Sequence, residues 1–190
     1  MIAVARWMPI LAFAAANAWA QMSEADCPMH PEHAATAETK ASHSEAVNAR
    51  GDHAMGFLHT KTVHHFLLTK EGGVIVAEAN DAADTKSIDA IRLHFHHIAQ
   101  AFAAGDFALP MLIHDRTPPG VPEMQRLRNA ITYSEERTQL GARVTISTKD
   151  KSALDAIHAF LKFQIEDHQT GDSTAVGVAR SNEKNRTEGY

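Results

Sequence analysis

Cys27-Pro28-Met29-His30-Pro31-Glu32-His33 sets a thiol, a thioether and two imidazoles within seven residues. Pro28 and Pro31 restrict the backbone there, so a stiff, non-helical display of the four donors is expected. Thiolate and thioether select Cu(I) and similar thiophilic ions, while imidazole suits copper and zinc. The mixture points to copper, with zinc or silver next. Cys27 is the single cysteine of the chain, which excludes an internal disulfide. An intermolecular disulfide, a metal thiolate or a free thiol remains.

A second donor-rich stretch follows, with His53, Met55, His59, His64 and His65 inside thirteen residues. Gly51 and Gly56 are expected to keep its first part loop-like. The spacing meets no fixed ligand pattern, so two readings stand side by side. In one these residues bind metal; in the other they are solvated loop histidines beside strand histidines, one of them buried and hydrogen-bonded. The chain carries 13 histidines in all, roughly three times ordinary usage.

The core Cys-Pro-Met-His-Pro followed by Glu, Cys27 to Glu32, resembles the small heavy-metal-binding domain of periplasmic adaptor subunits in copper and silver efflux systems and of some metal-transporting ATPases. The likeness covers these few residues only. That family usually has an aromatic residue two positions before the cysteine and a short strand-rich module after it. Here Ala25 and Asp26 precede Cys27 and an Ala/Thr/Ser/Glu stretch follows. The resemblance therefore implies the ligand chemistry and not the module's fold. The 54–172 region also resembles a group of exported bacterial proteins of unknown role, through His-His-Phe-Leu-Leu at 64–68 and Pro-Pro-Gly at 118–120; no activity follows from that.

Residues 1–20 read as a cleavable export signal. Arg6 precedes an apolar run from Trp7 to Ala16 that is too short for a membrane span, and Ala18-Trp19-Ala20 offers a cleavage site before Gln21. A periplasmic or secreted location without a membrane span after cleavage is expected. Residues 21–52 form the expected metal-ligand arm, in which 34–52 have little apolar content and no period and should be a flexible tether. The formal net charge of -5, with no Lys/Arg cluster, argues against nucleic acid or anionic lipid as a partner.

From 53 to 172 the pattern predicts one small α+β domain. Val63 to Thr69 and Val74 to Ala79 flank Lys70-Glu71-Gly72-Gly73 as a hairpin, and Thr132 to Thr138 with Arg143 to Thr148 form a second. Ile88, Ile91, Phe95, Ile98 and Phe102 make one stripe of a helix capped near Asp84 and ending at Gly105. Leu154, Ile157, Leu161 and Ile165 do the same for a helix starting at Asp150. Asp89-Ala90-Ile91 and Asp155-Ala156-Ile157 lie at the same offset as Gly105-Asp106 and Gly171-Asp172. The expectation is a tandem ββα repeat, about 62–106 and 132–172, giving a four-stranded antiparallel sheet with two helices on one face. The linker holds an apolar run Leu109 to Ile113, read as leading to a strand end at His114-Asp115, and a helix over Val121 to Ala130. Residues 173–190 are polar and expected to be disordered.

On the first helix His94 flanks the stripe and His97, one turn on, is placed to chelate with it. His96 should be solvated. His158 and His168 read as hydrogen-bonded core residues rather than ligands. His114-Asp115 is either an imidazole oriented by a carboxylate or a turn whose Asp caps backbone amides. The candidate metal ligands are thus Cys27, Met29, His30, His33, His53, Met55, His59, His64, His65, His94, His97 and His114.

Three functions compete. The first is a periplasmic heavy-metal binding protein, for copper before zinc or silver, that buffers, delivers or confers resistance, with an efflux component or cuproprotein as partner. The second is a metal- or haem b-dependent enzyme or sensor in which His64, His65, His94, His97 and His114 converge. No nucleophile elbow, phosphate loop, zincin helix or Cys-x-x-Cys-His occurs, so covalent haem is excluded. The third is a cofactor-free interaction domain, because an open sheet face invites a homodimer.

Overall fold

A computed structural model describes residues 31–177, with side chains from residue 40 onward. The expected signal at 1–20, the donors Cys27, Met29 and His30, the side chain of His33 and the tail from 178 lie outside the described residues.

Alternation in the strands decides which face is buried. In β1 (Thr62–Thr69) Phe66 and Leu68 are buried and Val63 is exposed; in β2 (Gly72–Ala79) Ile75, Ala77 and Ala79 are buried. The antiparallel register pairs Phe66 with Ile75, and Ile75 with Val144 on β4 (Gly141–Thr148). Ile131 on β3 (Ile131–Arg137) shares the inner face with Ala142, Val144 and Ile146. The sheet order is β1-β2-β4-β3, so the two hairpins join through β2 and β4. This is the α+β architecture with a four-stranded antiparallel sheet expected from the two hairpins and the helix stripes.

Two amphipathic helices cover the inner face. Asp84 caps α2 (Thr85–Ala104) by accepting from the Ser87 amide at 3.1 Å, and Gly105 ends it at φ 81°. Asp150 caps α5 (Lys151–Asp167) in the same way, accepting from Ala153 N at 2.9 Å. Ile91, Phe95, Ile98 and Phe102 of α2 and Ile157, Phe160, Leu161 and Ile165 of α5 enter one core. α2 lies over β3 and β4, α5 over β1 and β2. Gly73 makes the second crossing possible, since a Cβ there would stand 2.1 Å from Leu161 Cδ1 and 2.6 Å from the Leu67 carbonyl.

The connecting segments depart from expectation. The stretch read as a tether is helix α1 (Pro31–Met55). Pro31 opens it instead of preventing it, because proline is accommodated at a first helical position where no amide bond is lost. Alanine and glutamate supply helix propensity without a stripe. Val47 is fully buried, Arg50 Nε donates to the Ile113 carbonyl at 2.6 Å, and Gly51 is buried within the helix rather than in a loop. Gly56 ends α1 at φ 80°. We expect Val47→Ala to cost about 2 kcal/mol of local stability from lost methyl burial. Hydrogen exchange should show this as lost protection in α1 while the sheet amides keep theirs.

The run Leu109 to Ile113, read as leading to a strand end, lies in helix α3 (Ala108–His114). Pro110, Ile113 and His114 are its buried positions, an i, i+3, i+4 stripe too short to register as a period. Pro110 sits in the first turn, where it is tolerated. Asp115 ends the helix in the left-handed region at φ 53°. The helix expected over Val121 to Ala130 is α4 (Val121–Arg126) followed by a 3-10 turn, Arg128–Ala130.

The outer sheet face carries Val63, exposed, with Leu67, Val74 and Val76 half-buried. Residues beyond α5 run along β1: Asp172, shielded from solvent, accepts from His65 Nδ1 and from the Phe66 amide, both at 3.0 Å, and Gly177 N donates to the Leu68 carbonyl at 2.9 Å. The edge strand is thereby blunted. Among the described residues no helix is long and apolar enough to cross a membrane.

Candidate functional site

Side chains from six elements enclose a cavity of about 60 Å³ between the sheet and α3. Its walls are mostly apolar, with Phe66, Phe95, Ile98, Phe102 and Phe160 among them. Into this wall are set four histidines, His64, His94, His114 and His168, with Met55 and Gln164. Each arrives by a simple rule. His64 occupies the β1 position two before Phe66 and so points inward. His94 flanks the α2 stripe beside Phe95. Met55 is the last residue of α1, His114 the last of α3, and His168 follows α5 at its C-cap.

The rings form a ladder. Phe57 stacks on His64 with centroids 5.6 Å apart and meets His94 edge-on at 5.6 Å. His64 lies parallel to His168 at 6.3 Å, and His168 meets His114 edge-on at 4.9 Å. Burial drives the imidazoles toward their neutral forms. His64 is lowered to about 4, by burial first and then by His94 and His65. His94 is lowered to about 4 by burial and by His97, and His168 to about 3 by burial, His114 and His64. Three imidazoles are therefore uncharged at neutral pH, each with a lone pair to offer.

His114 is anchored from behind. Its Nδ1 donates to Asp167 at 2.5 Å, and its Nε2 lies 3.0 Å from the Gln164 side-chain amide. Asp167 also accepts from Arg116 at 2.6 Å and from His43 of α1 at 2.9 Å. Burial would raise the Asp167 carboxyl, but hydrogen bonds from His114 and His43 outweigh it and hold the group below its ordinary value.

Four of the expected donors, Met55, His64, His94 and His114, thus share one cavity. The others do not. His53 is exposed. His59 is exposed and held by Asp52 at 2.9 Å. His65 lies on the outer face against Asp172, because strand alternation sends it opposite to His64. His97 is exposed and does not share the cavity with His94, since the core stripe turns it outward. His96, expected to be solvated, is exposed, with Glu135 3.1 Å away. His158 is the hydrogen-bonded residue expected, its Nε2 shared between the Thr69 and Gly72 carbonyls at 2.9 and 3.0 Å. His168, read as a core residue, lines the cavity instead. Asp167 and Gln164 carried no short-range signal, as they reach His114 from more than forty residues away.

Among the described residues no group of three or more His, Cys, Asp or Glu side chains is disposed to hold a metal ion. No family model matches the chain, and no curated protein or solved structure matches it.

Proposed function

We propose that this protein is an exported copper(I)-binding protein, for buffering, delivery or resistance, which holds the ion in the cavity through His64 and His94 with Met55. The observation that carries this reading is the convergence of shielded imidazoles and a thioether on one cavity whose walls contain no carboxylate. A divalent ion bound by neutral donors would keep both charges in a poorly solvating surrounding, and the desolvation cost rises with the square of the charge. A monovalent ion keeps one. Imidazole and thioether together are soft enough for Cu(I), and Ag(I) shares its preferences, whereas structural zinc takes four donors. The space suits an ion rather than a macrocycle, which sets the haem alternative behind this one. In this reading Cys27, Met29, His30 and His33 capture the ion first, and an efflux component or cuproprotein receives it.

The test is competition under anaerobic conditions. The full protein, loaded in turn with Cu(I), Ag(I) and Zn(II), is dialysed against a chelator of modest strength. It should keep about one Cu(I) or Ag(I) per chain and surrender Zn(II). Loss of all three ions contradicts the reading.

A further inference from the structure

Two glycines bracket Met55, and each is glycine for a different reason. Gly56 ends α1 at φ 80°, in the left-handed region where a side chain is strained. Gly51 lies in the body of α1 and is not among the glycines with positive φ. Glycine weakens a helix there, being the poorest helix former after proline. What it supplies is space. A Cβ at 51 would stand 3.1 Å from the Met55 methyl carbon, Cε, and beyond the helix's own backbone and the neighbouring residues no other atom lies within 4 Å of that place. Long side chains in a helix lean back over the preceding turn, so the methyl of Met55 rests in the hollow that Gly51 leaves. Carbon atoms pack at about 3.5 Å or more, so a Cβ would push this methyl outward by a few tenths of an ångström. The turn beyond Met55 is fastened as well: the Asp52 carboxylate accepts from the His59 amide at 2.6 Å, and Phe57 is buried with its ring stacked on His64.

We propose that Gly51 is the positioning residue of the Met55 thioether: its missing side chain seats the methyl, and so holds the sulfur where the cavity takes its ion. This role rests on the copper(I) reading above. The methyl is bonded directly to the sulfur, so a shift of one carries the other. Metal–donor distances hold to within about 0.2 Å, and a displacement of a few tenths exceeds that tolerance. The fold tolerates the same displacement, because Met55 is half-buried and its methyl is the free end of a flexible side chain. Helix stability and site geometry therefore make opposite demands at position 51: alanine favours the helix, glycine favours the sulfur.

Four full-length proteins test this, all carrying Cys27→Ala and Met29→Ala so that those arm sulfurs do not compete: the parent, Gly51→Ala, Met55→Leu and the two together. Cu(I) affinity is read by chelator competition, and copper–sulfur scattering by X-ray absorption. Gly51→Ala should weaken Cu(I) binding about tenfold, the cost of losing a supporting group, and diminish the sulfur signal. Hydrogen exchange should meanwhile show α1 protected up to about fivefold more, which separates the loss from a damaged helix. In the Met55→Leu background the same alanine should change affinity less than about twofold, because a residue that acts only through Met55 has nothing left to position. Unchanged affinity and sulfur signal in Gly51→Ala, or an equal loss in both backgrounds, overturns this inference and leaves the copper(I) reading standing. A parent that holds no Cu(I), or one indifferent to Met55→Leu, overturns that reading and this inference with it.

Discussion

Replacing His64 and His94 together by leucine is expected to lower Cu(I) affinity at least about a hundredfold while leaving the fold in place. Loss of an outer-shell partner alone costs metal sites about 10- to 100-fold, and direct donors contribute more. The fold should survive because both rings already behave as apolar wall. His64 stacks on Phe57 and lies parallel to His168, and His94 abuts Phe57 edge-on. Burial disfavours charge on either ring, so a leucine removes a desolvation cost as well as a contact. Chelator competition reads the affinity and thermal unfolding reads the fold. The paired control is His65→Leu with His97→Leu, on the outer face and on exposed α2, where affinity should change less than about twofold.

The second large effect is acid sensitivity of the metal-free protein. An unfolded imidazole titrates near 6.5, whereas His64 and His94 do so near 4 and His168 near 3 in the folded chain. The folded value is the lower one, so the unfolded chain binds more protons as pH falls through this range. Stability contributed by these groups is fully present above 6.5 and is lost progressively as pH falls toward 4 and then 3. A fully shielded imidazole contributes a slope of up to about 1.4 kcal/mol per pH unit, and His64, His94 and His168, all partly buried, contribute less. Asp167, Asp84 and Glu123 have lowered values too, but their contributions begin to fade only as pH falls from about 5 into the ordinary carboxylate range. The interval between 6.5 and about 5 therefore isolates the histidines. His168 lies parallel to Phe66 with centroids 5.7 Å apart, so His168→Phe keeps the shape of the wall. Urea unfolding at about pH 7, 6 and 5 should show stability falling steeply in the wild type and less steeply in that variant. A flat profile would mean that burial does not hold these rings neutral.

The sheet and its two covering helices were legible because their signals are local. Val63 to Thr69 is rich in β-branched and aromatic residues before a Gly-Gly turn, and Ile88 to Phe102 recurs at helical spacing, whatever the chain does elsewhere. α1 was not legible, because its helicity rests on alanine-rich propensity and its docking on one buried valine, His43 and Arg50, none of which forms a stripe. α3 escaped because seven residues hold too few turns to establish a period, and Pro110 resembles a breaker until its place in the first turn is known. The cavity followed the same division. His94 could be placed beside its stripe from helix phase, while of His64 and His65 the sequence showed only that one would be buried. His114 was singled out for the carboxylate beside it in sequence, Asp115, yet its partner is Asp167, brought in by α5. His168 falls just past a helix end, where phase no longer predicts direction. Long-range convergence of this kind is a product of packing, and local pattern carries no trace of it.

The most direct test of a cation held by imidazole and the Met55 thioether is X-ray absorption at the copper edge. The sample is the Cu(I)-loaded full chain carrying Cys27→Ala and Met29→Ala, which removes those arm sulfurs. A low-coordinate copper with imidazole scattering and one sulfur is expected, with loss of that sulfur when Met55→Leu is added. A protein that no longer holds copper once Cys27 and Met29 are gone, or a spectrum indifferent to Met55, would contradict it.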